Sequence, residues 1–212
     1  MARFSEPEEH GTTPEAKLSE IESGLLKAAA VERGHFRYES GHHGDLWLDL
    51  DRLFVNVGRT RAYASELAER AAGCRASAVC GPLSGGAFIA QLLAEQLGVD
   101  FVFAERLVSA DRSVSYRVPD RLRAIAQGRR VLLADDAINA GSALLSTWRD
   151  LLACGAQLVA CASLLVLGEA GKRVAAKTEV PIHWLVALER GLWPPDACPL
   201  CASGIPLVDR IR

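Results

Sequence analysis

The sequence predicts an α/β protein: an open, mostly parallel sheet with helices on both faces, plus a small hood drawn from the two ends of the chain. Three observations predict it. Short apolar runs without polar alternation recur between positions 76 and 187, as strands covered on both faces require. Segments of helical apolar spacing separate them, and that alternation argues for a parallel sheet. The chain has 212 residues, half of them apolar, enough for one sizeable core near the upper size of a single domain.

Residues 1–14 are polar and acidic, hold two prolines and show no period, so they are expected to be disordered. They lack the apolar core of a signal peptide, and no later run approaches the ~18 apolar residues of a spanning helix. A cytoplasmic protein without a membrane partner is expected. Over residues 15–33, Leu18, Ile21, Leu25 and Ala28 or Ala29 follow helical spacing and predict an amphipathic helix. Alternation around Leu46, Leu48 and Leu50, with a turn signal at Ser40 and Gly41, predicts a hairpin-like region. Strands are expected at 76–80, 101–103, 131–134, 159–167 and 182–187, with helices at 60–72, 86–97, 142–153 and 169–177. Residues 15–212 are read as one unit, a hood from 15–55 and 190–212 around a core of 56–189. Trp47 is assigned to core or dimer surface, and Trp184 and Trp193 to packing.

A formal net charge of −2 leaves no electrostatic footprint for nucleic acid or an anionic membrane. Any anion must be caught locally. Cys74, Cys80, Cys154 and Cys161 lie in or beside apolar segments, where free cysteine behaves as a small hydrophobe. Cys198 and Cys201 have the spacing of half a zinc site, but a closed site needs four ligands and the sequence holds no second such pair. The preferred reading is a surface turn; zinc shared between subunits and a redox pair are the alternatives. His42 and His43 are adjacent and so point to opposite sides of a strand, which argues against a metal shared by the two.

The stretch 131–143 carries the chemistry. Four apolar residues run into Asp135 and Asp136, then Ala-Ile-Asn-Ala-Gly-Ser opens a helix. In an open parallel sheet ligands bind beyond the carboxyl ends of the strands, so the carboxylates stand where a ligand sits. Ala140 and Gly141 allow close backbone approach, Ser142 adds a hydroxyl, and the free N–H groups of the helix start attract an anion. A phosphate on Asn139–Ser142 beside a diol on the carboxylates describes a phosphorylated pentose. The competing reading is that the acidic residues only cap the next helix. Earlier, Gly81-Pro82-Leu83-Ser84-Gly85-Gly86 places glycines before another helix, a backbone anion nest. A serine-nucleophile elbow at Ser84 requires glycine two residues before it, where Pro82 stands.

These motifs resemble those of the type I phosphoribosyltransferases, in the orotate phosphoribosyltransferase branch, as do Gly34-His35-Phe36 followed by Ser40-Gly41 and the tail Cys-Pro-Leu-Cys-Ala-Ser-Gly-Ile-Pro-Leu. The resemblance implies transfer of phosphoribose from phosphoribosyl pyrophosphate to a base. It assigns Asp135 and Asp136 to the ribose hydroxyls, Asn139, Ala140, Gly141 and Ser142 to the 5-phosphate, and Leu83, Ser84, Gly85 and Arg106 to pyrophosphate, with His43 and Arg112 as further phosphate contacts. It also implies Mg²⁺ held through water and substrate oxygens rather than by the protein directly, and a homodimer whose mobile loop completes the neighbouring site. The chain departs from the pattern at Asn139 and Ser142, usually threonines, and at His43 and Gly85, usually lysines. The mobile loop, 105–115, offers only Arg106 and Arg112, and an arginine that meets the carboxylate of orotate would fall at about Gly168. Arg106, Arg112, Arg117, Arg121 and Arg123 are either replacement charge or a solvated helix face.

Overall fold

The computed structural model describes residues 14–38 and 40–210. The disorder expected at the amino terminus concerns residues 1–13, outside the described residues, since Pro14 already opens a helix. In chain order the elements are α1 (Pro14–Ala28), β1 (Glu32–Arg37), β2 (His43–Trp47), α2 (Val57–Ala71), β3 (Ala78–Pro82), α3 (Gly85–Leu97), β4 (Asp100–Val108) and β5 (Val114–Arg117). There follow α4 (Asp120–Ala126), β6 (Arg130–Ile138), α5 (Ser142–Ala153), β7 (Gln157–Leu167), α6 (Ala170–Thr178), β8 (Ile182–Leu188), β9 (Leu192–Trp193), α7 (Pro199–Ala202) and β10 (Val208–Asp209).

Six strands form the main sheet in the order β5-β4-β3-β6-β7-β8, parallel except for the edge strand β5. Side-chain alternation along the strands feeds two cores. Val79, Leu132 and Ala134 pack with residues of α1, α2 and α3 on one face, while Cys80, Val131 and Leu133 pack with residues of α4, α5 and α6 on the other. Both faces are therefore dry, which is why the strands read as unbroken apolar runs. The chain leaves β3 for β4 on one side and returns to β6 on the other, so the strand order reverses between β3 and β6. Open α/β sheets bind ligands at such a crevice.

A second sheet, β10-β1-β2-β9, joins the β1–β2 hairpin to two short strands from the carboxyl-terminal segment. The hairpin turns where expected, with Gly41 at φ 78° and its N–H donating to the Tyr38 carbonyl.

Four expectations are corrected. The first helix stops at Ala28, and residues 32–33 belong to β1, because β2 offers them an antiparallel partner. β6 continues through Ile138, so the acidic pair lies inside the strand rather than after it. Residues 105–115 are not an open loop but most of a β4–β5 hairpin, with Arg106 opposite Tyr116. Trp184 is 43% exposed on the edge strand β8 and is not a core packing residue. Among the described residues, no helix is long and apolar enough to cross a membrane.

Candidate functional site

β3 pairs with β6 only from Ala78 to Cys80, against Val131 to Leu133, whereas β7 follows β6 as far as Ile138. Beyond Leu133 the β3 side of β6 is therefore open to the turn that leads into α3. Asp135 and Asp136 stand against that turn. A Cβ on Gly86 would lie 2.7 Å from Asp135 Oδ1, and one on Gly85 would overlap the Asp136 carboxylate. With glycine at both positions the carboxylates close directly onto the turn, and a side chain at Gly85 would push the Asp136 carboxylate aside.

Asp135 is buried and Asp136 partly so. Asp135 Oδ1 accepts the Asp136 N–H at 3.1 Å, and Asp136 Oδ1 accepts the Ala137 N–H at 2.8 Å. These bonds are local, and Gly141 stands at the N-cap of α5 with no side-chain cap hydrogen bond. The capping reading of the pair therefore fails. Burial, followed by the charge of Asp136, raises the Asp135 carboxyl well above the usual carboxylate range, and burial also raises Asp136. Two crowded, desolvated carboxylates form a site that favours a cationic partner.

The loop between β6 and α5 exposes Asn139, Ala140 and Ser142 and buries Gly141. Gly141 has φ 78°, and a side chain there would collide with Val174 of α6. The first N–H groups of the twelve-residue α5 lack intrahelical partners and point toward this loop. A cleft of about 720 Å³ runs from Ala140 and Ser142 toward the β4–β5 hairpin, with Arg149 and Lys177 on its wall. On the other side of the crevice, Leu83 and Ser84 are exposed and Gly85 is half-buried at the start of α3. Arg106 lies on β4 two residues past Ala104, the partner of Pro82, so it extends the same sheet edge.

The arginine set divides. Arg117, Arg121 and Arg123 pair with Asp120, Glu105 and Asp150. Arg106 and Arg112 are exposed and have no side-chain ion pair or hydrogen bond among the described residues; Arg112 occupies the hairpin turn at φ 65°.

Sequence reasoning missed Arg190. It follows β8 and is half-buried, its guanidinium donates to Asn139 Oδ1, and it lies over the Tyr38 ring at 5.8 Å. Its carbonyl is 3.6 Å from where a Gly168 side chain would begin. The backbone of Arg190 thus lies beside Gly168 while its guanidinium sits at Asn139, and burial pushes its pKa down, so an anionic ligand would restore what desolvation costs. No local signal marks it, since the β7–β8 register alone brings Leu188 beside Leu167.

His43 is not at this crevice surface. It is 6% exposed, and its Nδ1 lies 3.2 Å from His35 Nε2 and 3.3 Å from Cys201 Sγ. The surface turn expected at Cys198 and Cys201 is corrected as well, since Cys198 is buried against His35.

A family model described as Phosphoribosyl transferase domain matches residues 56–189. An orotate phosphoribosyltransferase of Caldanaerobacter subterraneus subsp. tengcongensis is 30% identical over 184 residues, 86% of this chain and 90% of that protein. The crystal structure of orotate phosphoribosyltransferase from Aeropyrum pernix superposes with a TM-score of 0.65 at 24% identity, over 79% of this chain and 93% of that one. Adenine phosphoribosyltransferase from Rhodothermus marinus superposes with a TM-score of 0.64 at 21% identity, over 80% and 99%. The fold is therefore common to relatives that differ in their base.

Proposed function

The chain belongs to the phosphoribosyl transferase domain family, on the branch of its orotate phosphoribosyltransferase relatives, and on that premise we propose that it transfers 5-phosphoribosyl from phosphoribosyl pyrophosphate to a nitrogenous base, with orotate as the nearest acceptor model. The observation that carries the reading is the buried acidic pair at the β3–β6 crevice, set between a glycine turn and a small-residue loop that each open a helix.

In this reading the 5-phosphate rests on Asn139, Ala140, Gly141 and Ser142, where the α5 N–H groups and the Ser142 hydroxyl donate to it. Asp135 and Asp136 accept from the ribose 2′ and 3′ hydroxyls. Pyrophosphate lies on Leu83, Ser84 and Gly85, with Arg106 and Arg112 supplying positive charge from the hairpin. The lone pair of the base nitrogen forms the bond to the anomeric carbon, and the C–O bond breaks with its electron pair leaving on pyrophosphate. Positive charge that develops on the sugar ring faces the fixed carboxylates, and the base releases its N–H proton to solvent. The residues fit Mg²⁺, because the crowded carboxylates favour a nearby cation that keeps mostly water and substrate oxygens as ligands. When bound, Mg²⁺ neutralises charge on the departing pyrophosphate.

Arg190, whose backbone lies beside Gly168 and whose half-buried guanidinium sits at Asn139 by the site, supports an acceptor that carries a carboxylate. Two further parts of the proposal are a cytoplasmic location and a homodimer. The dimer is supported by exposed Val57 and Phe88, which line one shallow cavity with Phe54, and by exposed Val55 beside Phe54 in the chain, an apolar surface that a second copy would cover.

A second reading is a protein that binds ribose 5-phosphate or a nucleotide without turnover, and glycine in place of lysine beside Asp136 favours it. One assay separates the two: purified chain, Mg²⁺, phosphoribosyl pyrophosphate and a panel of bases, with pyrophosphate release measured. Release with orotate or another carboxylate-bearing base is expected. Release only with uncharged bases would remove the acceptor assignment, and no release alongside tight nucleotide binding would establish the second reading.

A further inference from the structure

We propose that His35, His43, Cys198 and Cys201 form a structural zinc site within one chain, clamping the carboxyl-terminal segment onto the β1–β2 hairpin. The four ligand atoms all lie within 4.8 Å of one another. Four of the edges between them are 3.2 Å from His35 Nε2 to His43 Nδ1, 3.4 Å from Cys198 Sγ to His35 Nε2, 3.7 Å from Cys201 Sγ to His35 Nε2 and 3.3 Å from Cys201 Sγ to His43 Nδ1. A tetrahedron built with Zn–N of about 2.0–2.1 Å and Zn–S of about 2.3 Å has edges of about 3.3–3.8 Å. These four edges therefore already approach those the ion requires. Two thiols and two imidazoles form a soft donor set that suits zinc and not the oxygen-seeking Mg²⁺ or Ca²⁺.

Hydrogen bonding alone does not account for the cluster. His35 Nδ1 lies 2.8 Å from the Ile205 carbonyl, an acceptor, so Nδ1 carries the proton and Nε2 presents a single lone pair. That lone pair faces His43 Nδ1 and both thiols, and it can accept from only one of them. A metal at the centre uses one lone pair from each of the four groups, and the Ile205 carbonyl becomes the outer partner that orients a ligating histidine. The local backbone cooperates. A bulge between Arg33 and Phe36 adds a residue to β1 beside His35, and Pro199 starts a short helical turn between the two cysteines.

The packing of the tail also calls for such a clamp. Between Leu192 and Arg210 only Cys198 is buried, and β9 and β10 are two residues each. Beyond two short strand pairings and the exposed ion pairs Arg37–Asp209 and Arg210–Glu32, little anchors this segment, and a structural metal supplies a cross-link. Binding displaces the two thiol protons as the thiolates ligate zinc. The inference does not rest on the transferase reading, and zinc here takes no part in it.

The test is metal analysis of the full chain purified without chelator. One zinc per chain is expected, as is a tetrahedral thiolate spectrum when Co²⁺ replaces it. Strong chelation should lower the Tm by several degrees, with recovery on adding zinc. The Cys198→Ser/Cys201→Ser double variant should contain none. If that variant does not fold, the cobalt spectrum and the chelation shift of the unaltered chain decide the matter. Half a zinc per chain would replace the intrachain site with one shared between subunits. Zinc-free protein with a Cys198–Cys201 disulfide, or zinc retained by the double variant, would overturn the proposal.

Discussion

The ribose-binding role proposed for Asp135 comes with a cost in stability. Burial and its charged neighbour raise its carboxyl well above the value of about 3.9 that it has in the unfolded chain. The folded state binds this proton more tightly, so the group's contribution to stability is complete below about pH 4 and is lost as pH rises through the folded value. Asp135→Asn removes the charge, while the amide oxygen still accepts the Asp136 N–H. We expect its Tm to rise at neutral pH by about 2–4 °C, equivalent to ~1 kcal/mol for a chain of this size. Calorimetry across about pH 5 to 8 should also show a flatter decline than in the unaltered protein. Pyrophosphate release should fall by about 100-fold or more in both Asp135→Asn and Asp136→Asn. An Asp136→Asn variant with full turnover would remove the pair from the mechanism. The pair was legible in the sequence because two carboxylates after an apolar run have no packing reason to be there. Its orientation into the α3 turn was not, because that depends on where β3 ends.

At the scale of elements, the β4–β5 hairpin joins the two halves of the site. Its base is fixed by α5, where Ser146 Oγ accepts the Tyr116 N–H and Asp150 accepts both the Val118 N–H and the Arg123 guanidinium. The turn end, with Arg112, has no such tie among the described residues, and the Arg106 side chain, opposite Tyr116, is free of side-chain partners there too. A charge-assisted hydrogen bond lost there costs ~1.5–3 kcal/mol, or about 10–100-fold in affinity. Arg106→Ala and Arg112→Ala should therefore raise the KM for phosphoribosyl pyrophosphate by about tenfold or more, read from initial rates. The Tm should not move, because neither arginine has a side-chain ion pair or hydrogen bond to lose among the described residues. Equal KM values would detach the hairpin from the pyrophosphate. The helices and inner strands of the core were readable because each buries a continuous face. The hairpin was not, since β5 is four largely exposed residues whose pairing comes from β4 and not from their own pattern.

At the scale of the molecule, the exposed apolar patch makes a testable demand. Val55 is 83% exposed, Val57 59% and Phe88 48%, and water contact of this kind is relieved when a second copy covers it. Sedimentation equilibrium should give a dimer for the unaltered chain and a monomer for Phe88→Asp. A monomer in both would leave the patch without that role.

The sequence by itself determined the layered α/β class and the chain positions of the acidic pair and of the small-residue loop 139–142. Each of these is a local pattern, set by side-chain period and by which residues can follow one another at a strand end. The tertiary structure alone decided which distant groups meet. It brought the backbone of Arg190 beside Gly168, turned the carboxylates toward Gly85 and Gly86, and set two histidines of the hairpin against two cysteines 155 or more positions further along. Strand register and the path of the carboxyl-terminal segment make those meetings. Both are settled by packing of the whole chain, because no short stretch holds the energy to choose between one register and the next.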